Sequence, residues 1–190
     1  MDKVNKNWSY TIPEGEHKGT TLYSGRYCAI CSIVIAAETY NKITKWYILA
    51  NRRGSGTPDF NGYWNLPCGY IEGNEIAKNA CSREVAEECG INIDPNEFQL
   101  KHIETNPEIC NNGNITLYHI AFVNKRIKSG KLKEGGEKDE VDDIRWIPHN
   151  RIDNYEWAFN HKIVLSNRIV PLLRTLKILY ERRGMPVTAD

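Results

Sequence analysis

Apolar stretches of alternating or continuous pattern divide the chain into predicted strands. The segment 26–37 (RYCAICSIVIAA) is rich in β-branched residues and almost continuously apolar, which predicts a central strand covered on both faces. Residues 45–50 follow after a polar turn and complete a hairpin. Further extended segments are predicted at 63–67, 97–103, 115–123 and 143–148.

Two other segments have a helical pattern. Residues 75–89 contain no proline, with Asn74 as the expected N-cap and Gly90 as the expected left-handed stop. Residues 161–182 form the second, in which Pro171 marks either a kink or the first turn of a further helix. Its apolar stripe consists of Leu165, Ile169, Leu172, Leu176 and Leu179. Strands before and after one central helix, with another helix at the end, predict an α/β fold whose mixed sheet is covered on both sides.

Residues 1–24 differ from the rest of the chain. They are polar and contain Pro13, Gly15 and Gly19, which favours an extension or a short edge hairpin around residues 20–23. The main domain is therefore expected to span residues 25–190. A connection of twelve residues, 51–62 (NRRGSGTPDFNG), is long enough to be a binding or lid segment.

Composition and charge narrow the function classes. The 190 residues are 41% hydrophobic, and a chain of this length forms one domain by default. The net charge of +1 comes from interleaved acids and bases, so we expect no stable nucleic-acid partner, which usually requires a basic stripe. No apolar run approaches the roughly 20 residues of a membrane span and no signal peptide is recognisable, so a cytoplasmic protein without membrane contact is expected.

The cysteines do not resemble a disulfide framework. All six stand in apolar or helical contexts of a chain that needs no covalent staples, so free thiols are expected. Cys28 and Cys31 form a C-x-x-C pair, but residues three apart on a strand point to opposite faces. A shared zinc ion is therefore not expected.

Acidic residues gather on one face of the first predicted helix. Glu84, Glu87 and Glu88 fall within about 100° of arc on the face that should pack inward. A solvated acidic helix is the simpler interpretation, but like charges at this spacing repel and Arg83 is the only cation beside them. A bound Mg²⁺ ion, which prefers oxygen ligands, explains the cluster better.

These residues belong to a longer pattern of nine fixed positions over 23 residues: Gly69, Glu75, Arg83, Glu84, Val85, Glu87, Glu88, Gly90 and Ile91. The pattern resembles the box G-x5-E-x7-R-E-U-x-E-E-x-G-U of the Nudix hydrolases, where U is bulky and aliphatic. The preceding segment 64–69 is similar to the W-x-L-P-G-G of that family, with Cys68 in place of a glycine. The resemblance implies the Nudix fold, an α/β/α sandwich with a mixed sheet, and hydrolysis of a diphosphate linkage in a nucleoside diphosphate joined to another group.

The resemblance also implies roles for individual residues. The metal ligands would be the carboxylates of Glu84, Glu87 and Glu88 and the carbonyl of Gly69, binding Mg²⁺ with Mn²⁺ as a substitute. Arg83 would orient the carboxylates. The general base would come from the box helix or from a later loop, where Glu140 precedes the strand around Trp146; an ordinary surface acid is the alternative for Glu140. Glu75 would have a structural role or a role in the site.

Substrate choice depends on segments outside the box. Pro107 and the segment 157–162 (WAFNHK) are similar to the ADP-ribose hydrolases of the family, although a proline between strands is commonly a turn residue and His161 is more simply a cap or packing residue. Arg52 and Arg53 could contact phosphates, and Phe60, with Tyr63 and Trp64, could stack on a base. ADP-ribose or a similar nucleotide is therefore the first substrate candidate.

Three alternative functions occur on the same fold. A nucleoside triphosphate pyrophosphohydrolase of the nucleotide-pool sanitising type would use the same box. A non-catalytic nucleotide sensor commonly has an eroded box or an added DNA-binding domain, whereas this box is intact and the chain is short. An isopentenyl diphosphate isomerase shares the fold, but its cysteine motif has no counterpart here. The expected partner is a nucleotide-type small molecule, and a homodimer is left open.

Overall fold

A computed structural model of the chain describes residues 8–11, 13–19, 21–24, 27–40, 43–106, 114–124, 126 and 139–182. Its strands are β1 (Trp8–Thr11), β2 (Thr21–Ser24), β3 (Cys28–Tyr40), β4 (Ile43–Arg53), β5 (Trp64–Asn65), β6 (Cys68–Tyr70), β7 (Gln99–Glu104), β8 (Ile115–Val123) and β9 (Val141–Pro148). Its α-helices are α1 (Ala77–Cys89), α2 (His161–Val164) and α3 (Val170–Arg182). Short 3-10 helices span Pro95–Glu97 and His149–Asn154, and a π-turn spans Leu165–Ile169.

Seven strands form one mixed sheet in the order β5-β4-β3-β8-β7, with β6 pairing β3 and β9 pairing β4. The β3–β8 pair is parallel and the other pairs are antiparallel, so the predicted mixed sheet is confirmed. The predicted central strand is β3, which has neighbours on both edges. β1 and β2 form a separate two-stranded sheet, which includes the predicted hairpin region.

The strands β3 and β4 separate along their length. Residues 35–40 of β3 pair with residues 43–48 of β4, but residues 29–31 of β3 pair with β6 instead. The far end of β4, at Asn51 and Arg52, pairs with β5. The segment 64–70 therefore fills the space between the two diverging strands, and this places Gly69 between them.

Alternation along β3 directs its side chains into two cores. Ile30 and Val34 pack with Val85 of α1 in one cluster. Cys31, Ile33 and Ile35 face the other side of the sheet. There they join the C-terminal segment through Leu165, Ile169 and Leu173. The sheet lies between these layers, which confirms the α/β/α sandwich. None of the described helices has the length and hydropathy to span a membrane.

The first helix begins later than predicted. Its N-cap residue is Ile76, which makes no side-chain capping bond, so the prediction of an Asn74 cap and a helix from Glu75 is wrong. The Glu75 side chain instead binds Arg83 and the N–H of Glu72, which holds the preceding turn outside the helix. The predicted stop is confirmed, since Gly90 has φ of 65° and its N–H bonds to Ala86.

The C-terminal segment is a helix with one irregular turn. A π-turn joins α2 to α3, and Val164, Leu165 and Val170 at its two ends all have right-handed helical φ and ψ. Pro171, the second residue of α3, lies just after this turn. A proline inside a helix removes one backbone hydrogen bond and distorts the helix. Of the two alternatives for Pro171, the start of a further helix is not observed, because the backbone is helical on both sides of the proline.

Candidate active site

Arg83 is the hub of the polar network at the surface of α1. Its guanidinium donates to both carboxylate oxygens of Glu75 (2.7 and 3.2 Å) and to the Tyr70 carbonyl (3.0 Å). A single nitrogen, Nη1, also bonds to Glu84 (2.7 Å) and to Glu87 (2.9 Å). The bonds from Arg83 lower the pKa of Glu75. Arg83 thus contacts carboxylates and does not line the cavity described below.

Glu88 points away from Arg83 and into the protein. Its Oε2 accepts from the Asn51 side chain (2.7 Å) at the end of β4 and from the Cys68 N–H (3.1 Å) at the start of β6. Burial, with the charge of Glu84 as a second cause, raises the pKa of Glu88 to about 8. Glu88 therefore connects α1 to β4 and β6, and neither of these two partners is a cation.

Glu84 lies against the backbone of Gly69. A Cβ atom at position 69 would collide with the Glu84 carboxylate, so only glycine allows this approach. Glu84 is 9% exposed, and burial raises its pKa although the nearby Arg83 charge opposes the rise. Gly69, Glu84 and Glu88 are therefore brought together, as the box predicted.

The donor set fits a hard divalent cation in its chemistry. Oxygen ligands are what Mg²⁺ prefers, and burial raises the pKa of both Glu84 and Glu88, so a bound cation would offset the cost of keeping these buried carboxylates ionised. Within the described part of the chain, no three acidic, imidazole or thiol groups already converge as a metal cage. Arg83 holds Glu84 and Glu87, while Glu88 binds Asn51 and Cys68. Side-chain rearrangement would therefore accompany metal binding.

A cavity of about 750 Å³ lies on the face of the sheet opposite α1. This volume is within the usual range for a small-molecule site. The cavity reaches the carboxylate helix at Cys68 and Gly69, which are in its wall. The other lining residues come from β3, β8, the long loop and the segment before α2, and include Tyr27, Cys31, Arg53, Asp59, Tyr70, Tyr118, Phe159, Asn160 and His161.

His161 lies in the cavity wall as a neutral imidazole. Burial, followed by the charge of Arg53, lowers its pKa to about 3. The Leu66 N–H donates to Nδ1 (3.1 Å), so the proton is on Nε2, which faces Cys31 Sγ at 3.6 Å. Beside it, the Tyr118 hydroxyl donates to Asn160 Oδ1 at 2.6 Å. This part of the wall is therefore rigid and uncharged.

Arg53 brings the cationic group into the cavity wall. Its guanidinium donates to the Asp59 carbonyl and carboxylate (3.0 and 2.9 Å) and lies 5.0 Å from the ring centroid of Phe159. Phe159 in turn packs on Phe60, and both have positive φ, of 55° and 52°. Left-handed backbone is costly for residues with a Cβ and often marks functional segments.

The remaining predicted residues lie outside the cavity wall. Arg52 is paired with Asp142 at the surface, and Trp64 is a core residue. Phe60 packs against Phe159, with ring centroids 5.0 Å apart. Glu140 precedes β9, where its carbonyl accepts from the N–H of Gly54. Pro107 is outside the described residues.

Sequence reasoning missed several residues of the site. The sequence places Asn51 at the start of a predicted loop, whereas β4 continues to Arg53 and brings the Asn51 side chain to Glu88 of α1. Tyr118 and Asn160 were not selected, and His161 was assigned to packing. The one available signal was alternation along β8, which places Tyr118 on the same face of the sheet as Cys31.

Comparison with known families identifies one matching model, the NUDIX domain, over residues 31–167. No curated protein matches the chain significantly.

The solved structures described below are similar to this chain in fold at 16–20% sequence identity. The NUDIX domain of Shewanella oneidensis NrtR complexed with ADP ribose has a TM-score of 0.61 at 16% identity, covering 75% of this chain and 86% of that one. Intact NrtR was also solved with a 27mer DNA, with a TM-score of 0.57 at 16% identity, over 78% of this chain and 63% of that one. A MutT/nudix family protein from Enterococcus faecalis has a TM-score of 0.63 at 17% identity, over 80% and 64%.

A fourth solved structure is a bifunctional NMN adenylyltransferase/ADP ribose pyrophosphatase from Francisella tularensis, complexed with AMP and a manganese ion. Its TM-score is 0.56 at 20% identity, over 79% of this chain and 42% of that one. This chain thus spans less than half of that protein. At these identities the structures support the fold, not a substrate.

The raised pKa of Glu88 predicts how stability changes with pH in metal-free protein. The folded state holds this proton up to about pH 8, whereas an unfolded glutamate releases it near its ordinary pKa of 4.5, so stability falls as pH rises between these values. Glu88→Gln has no carboxyl group to titrate at this position, so it does not lose stability in this way. We therefore expect the Tm of Glu88→Gln minus the Tm of wild type to increase by at least about 4 °C between pH 5 and pH 8.5, with both proteins in chelator, since about 1 kcal/mol corresponds to 2–4 °C.

Differential scanning calorimetry measures this difference. Glu87→Gln is the matched control, because it removes a carboxylate from the same helix at a side chain that is 51% exposed. A Tm difference between Glu88→Gln and wild type that is constant across the pH range contradicts the prediction.

Proposed function

The chain belongs to the NUDIX domain family of hydrolases, and we propose that it cleaves the diphosphate linkage of a nucleoside diphosphate joined to a further group, with ADP-ribose as the first candidate. The proposal rests on one observation above all. The acidic helix and a cavity of nucleotide size meet at Gly69, on opposite sides of the same short strand.

We assign Glu84, Glu87 and Glu88 to a divalent metal site, with Mg²⁺ first and Mn²⁺ as a substitute. When bound, such an ion supplies positive charge beside the phosphates and lowers the pKa of a coordinated water. The three carboxylates supply the hard oxygen ligands, and the Gly69 carbonyl is a further candidate. One nitrogen of Arg83 bonds to both Glu84 and Glu87, so Arg83 fixes the positions of these two carboxylates before a metal ion binds.

The cavity wall offers groups suited to a nucleotide diphosphate. The Arg53 guanidinium is a candidate for phosphate contact, with Asp59 and Phe159 as positioning residues. At the mouth, Tyr27 and Tyr70 pack edge to face with ring centroids 5.7 Å apart, and both are about half exposed. Exposed aromatic faces of this kind suit contact with a nucleobase.

Glu140 is our candidate for the general base. Its backbone lies beside Gly54, directly after Arg53 leaves the cavity wall, and its flanking loop is held by a second bond from the Gly56 N–H to the Asp139 carbonyl. These bonds fix the loop next to the cationic part of the cavity. If Glu140 is not the base, the role falls to Glu84 or to another acid of the loops.

Two alternative functions share the same cavity. A nucleoside triphosphate pyrophosphohydrolase would need the same metal ligands. The second alternative is a nucleotide sensor without catalysis. It is suggested by the similar fold of NrtR, whose NUDIX domain was solved with ADP ribose and which was also solved with DNA. The intact set of box glutamates favours the enzyme.

Activity is expected to depend both on the exposed Glu87 and on the buried Glu88 of α1. Glu87→Gln and Glu88→Gln each remove a ligand charge while keeping the side-chain shape. Each should lower Mg²⁺-dependent turnover by at least about a hundredfold if the metal is the main electrostatic catalyst. Steady-state kinetics with Glu97→Gln, an exposed acid outside α1, as control tests this; turnover at the wild-type rate in either variant refutes it.

Replacing the candidate base should change chemistry more than binding. Glu140→Gln is expected to lower kcat by about a hundredfold with little change in KM, because general bases typically contribute a factor of 10²–10⁴. The acidic limb of the kcat profile against pH should disappear. Asp139→Asn, at the neighbouring exposed residue, is the control. An unchanged pH profile for Glu140→Gln moves the base to another residue.

The substrate class is tested by a screen of purified protein with Mg²⁺. ADP-ribose, NADH, sugar nucleotides, dinucleoside polyphosphates and nucleoside triphosphates are compared by released product. We expect kcat/KM to be highest for a diphosphate-linked compound, ADP-ribose first. A nucleoside triphosphate with a higher kcat/KM than every diphosphate-linked compound would assign the protein to the sanitising branch. Binding of ADP-ribose without turnover of any compound would instead support a sensor.

A further inference from the structure

Two cysteines face each other across the strands that hold the site. Cys31 of β3 is the direct register partner of Cys68 of β6. Directly opposite residues of an antiparallel pair project from the same face of the sheet. Both cysteines line the cavity, and both are free thiols. They come from segments 37 residues apart in the sequence, so only the strand register brings them together.

The hydrogen bonds around this pair define its geometry. The Ser32 N–H donates to the Pro67 carbonyl at 2.8 Å, which makes the neighbouring pair a hydrogen-bonded one. Since the two kinds of pair alternate along an antiparallel ladder, Cys31 and Cys68 form a non-hydrogen-bonded pair. The Cys68 N–H agrees with this, because it donates to Glu88. In such pairs the Cα atoms are about 4.5 Å apart, within the roughly 4.4–6.8 Å that disulfides span.

Each of the two sulfur atoms lies beside a side-chain N–H group. Cys31 Sγ lies 3.6 Å from His161 Nε2, the protonated nitrogen of the neutral ring. Cys68 Sγ lies 3.6 Å from Asn65 Nδ2. Cys31 has no exposed surface, whereas Cys68 is partly exposed at the cavity, so an oxidant that enters the cavity reaches Cys68 first.

We propose that Cys31 and Cys68 are a redox-active cross-strand dithiol, which a hydroperoxide converts into a disulfide that switches off the adjacent hydrolytic site. The loss of hydrolysis rests on the function proposed above; formation of the disulfide does not.

With hydrogen peroxide as the oxidant, the reaction balances with one peroxide molecule. The Cys68 sulfur attacks a peroxide oxygen, the O–O bond breaks, and the thiol proton leaves with the departing oxygen as water, giving a sulfenic acid. The Cys31 sulfur then attacks the Cys68 sulfur, the S–O bond breaks, and the Cys31 proton leaves with the hydroxyl group as a second water. Two thiols lose two electrons, and the peroxide is reduced to two waters. Burial raises the pKa of both thiols, so the reaction should be slow without excess oxidant.

A disulfide at this position would disturb the carboxylates through the backbone. Cβ atoms of opposite residues are about 4.5–5.5 Å apart, while a disulfide draws them to about 3.8 Å, so β6 must move by roughly 1 Å. β6 has three residues, and it carries both the N–H that binds Glu88 and the Gly69 backbone that touches Glu84. The movement therefore displaces the ends of the carboxylate cluster.

The test treats the full-length protein with excess hydrogen peroxide and divides it between two measurements. Non-reducing peptide mapping identifies which cysteines become linked. Hydrolysis of ADP-ribose with Mg²⁺ is measured before oxidation, after oxidation and after dithiothreitol. Each variant is compared only with its own reduced form. The variants are Cys31→Ser, Cys68→Ser and, as matched control on the same strand but the opposite face, Cys28→Ser.

Wild type and Cys28→Ser should form the Cys31–Cys68 link and lose at least about tenfold in rate, since ångström displacements at an active site can cost about a hundredfold. Dithiothreitol should restore the rate. Neither Cys31→Ser nor Cys68→Ser can form the link, and Cys68→Ser, which also lacks the sulfur that the oxidant reaches first, should keep its own rate within about twofold. If those variants fail to fold, the peptide map of wild type still decides whether the disulfide forms.

Two results overturn the proposal. One is a peptide map in which other cysteines are oxidised while Cys31 and Cys68 stay unlinked. The other is a complete Cys31–Cys68 disulfide with an unchanged rate. A reduced protein that hydrolyses no substrate in the screen contradicts the proposed function instead, and the peptide map then still supports or refutes the dithiol by itself.

Discussion

The carboxylate of Glu88 is the interaction on which the rest of the site depends. It accepts one bond from Asn51 near the end of β4 and one from Cys68 at the start of β6, the strand that lies between the diverging β3 and β4. Without this acceptor the Cys68 N–H would lose its partner, and the Asn51 amide would keep only its long contact with Cys89 Sγ (4.0 Å), which is costly for buried groups. The helix, the sheet and the entrance to the cavity are thus connected through one side chain.

That connection places an acidic group where the protein supplies little positive charge to ionise it. Arg83 is committed to Glu75, Glu84, Glu87 and a carbonyl, and it does not reach Glu88. Arg53, the cation on the other side of the sheet, is held by Asp59. The result is a pair of buried carboxylates with raised pKa values, the electrostatic condition in which a divalent cation binds with the greatest benefit.

The features that could be predicted are those that depend on residues close together in the sequence. The box, the helix stop at Gly90 and the apolar strands follow from spacing and composition, and the fold follows from their order. The Asn74 cap was wrong because Glu75 is drawn to Arg83, a contact eight residues away that no capping rule includes. The cavity was not predictable in detail because Tyr118, Asn160 and His161 meet only after the sheet has formed. The pairing of Cys31 with Cys68 depends in the same way on register, since a shift by one residue would point one of them to the other face.

The π-turn at Leu165–Ile169 has a consequence for how this chain tolerates changes of length. A π-turn contains one residue more than an α-helical turn, and each residue of a helix corresponds to about 100° of rotation. Removing one residue there would rotate His161 away from the cavity relative to Leu173, which is anchored in the core. Asn167 and Arg168 are exposed in this turn and can vary in identity. The number of residues in the turn cannot change in the same way, because one residue fewer would rotate one half of the helix relative to the other.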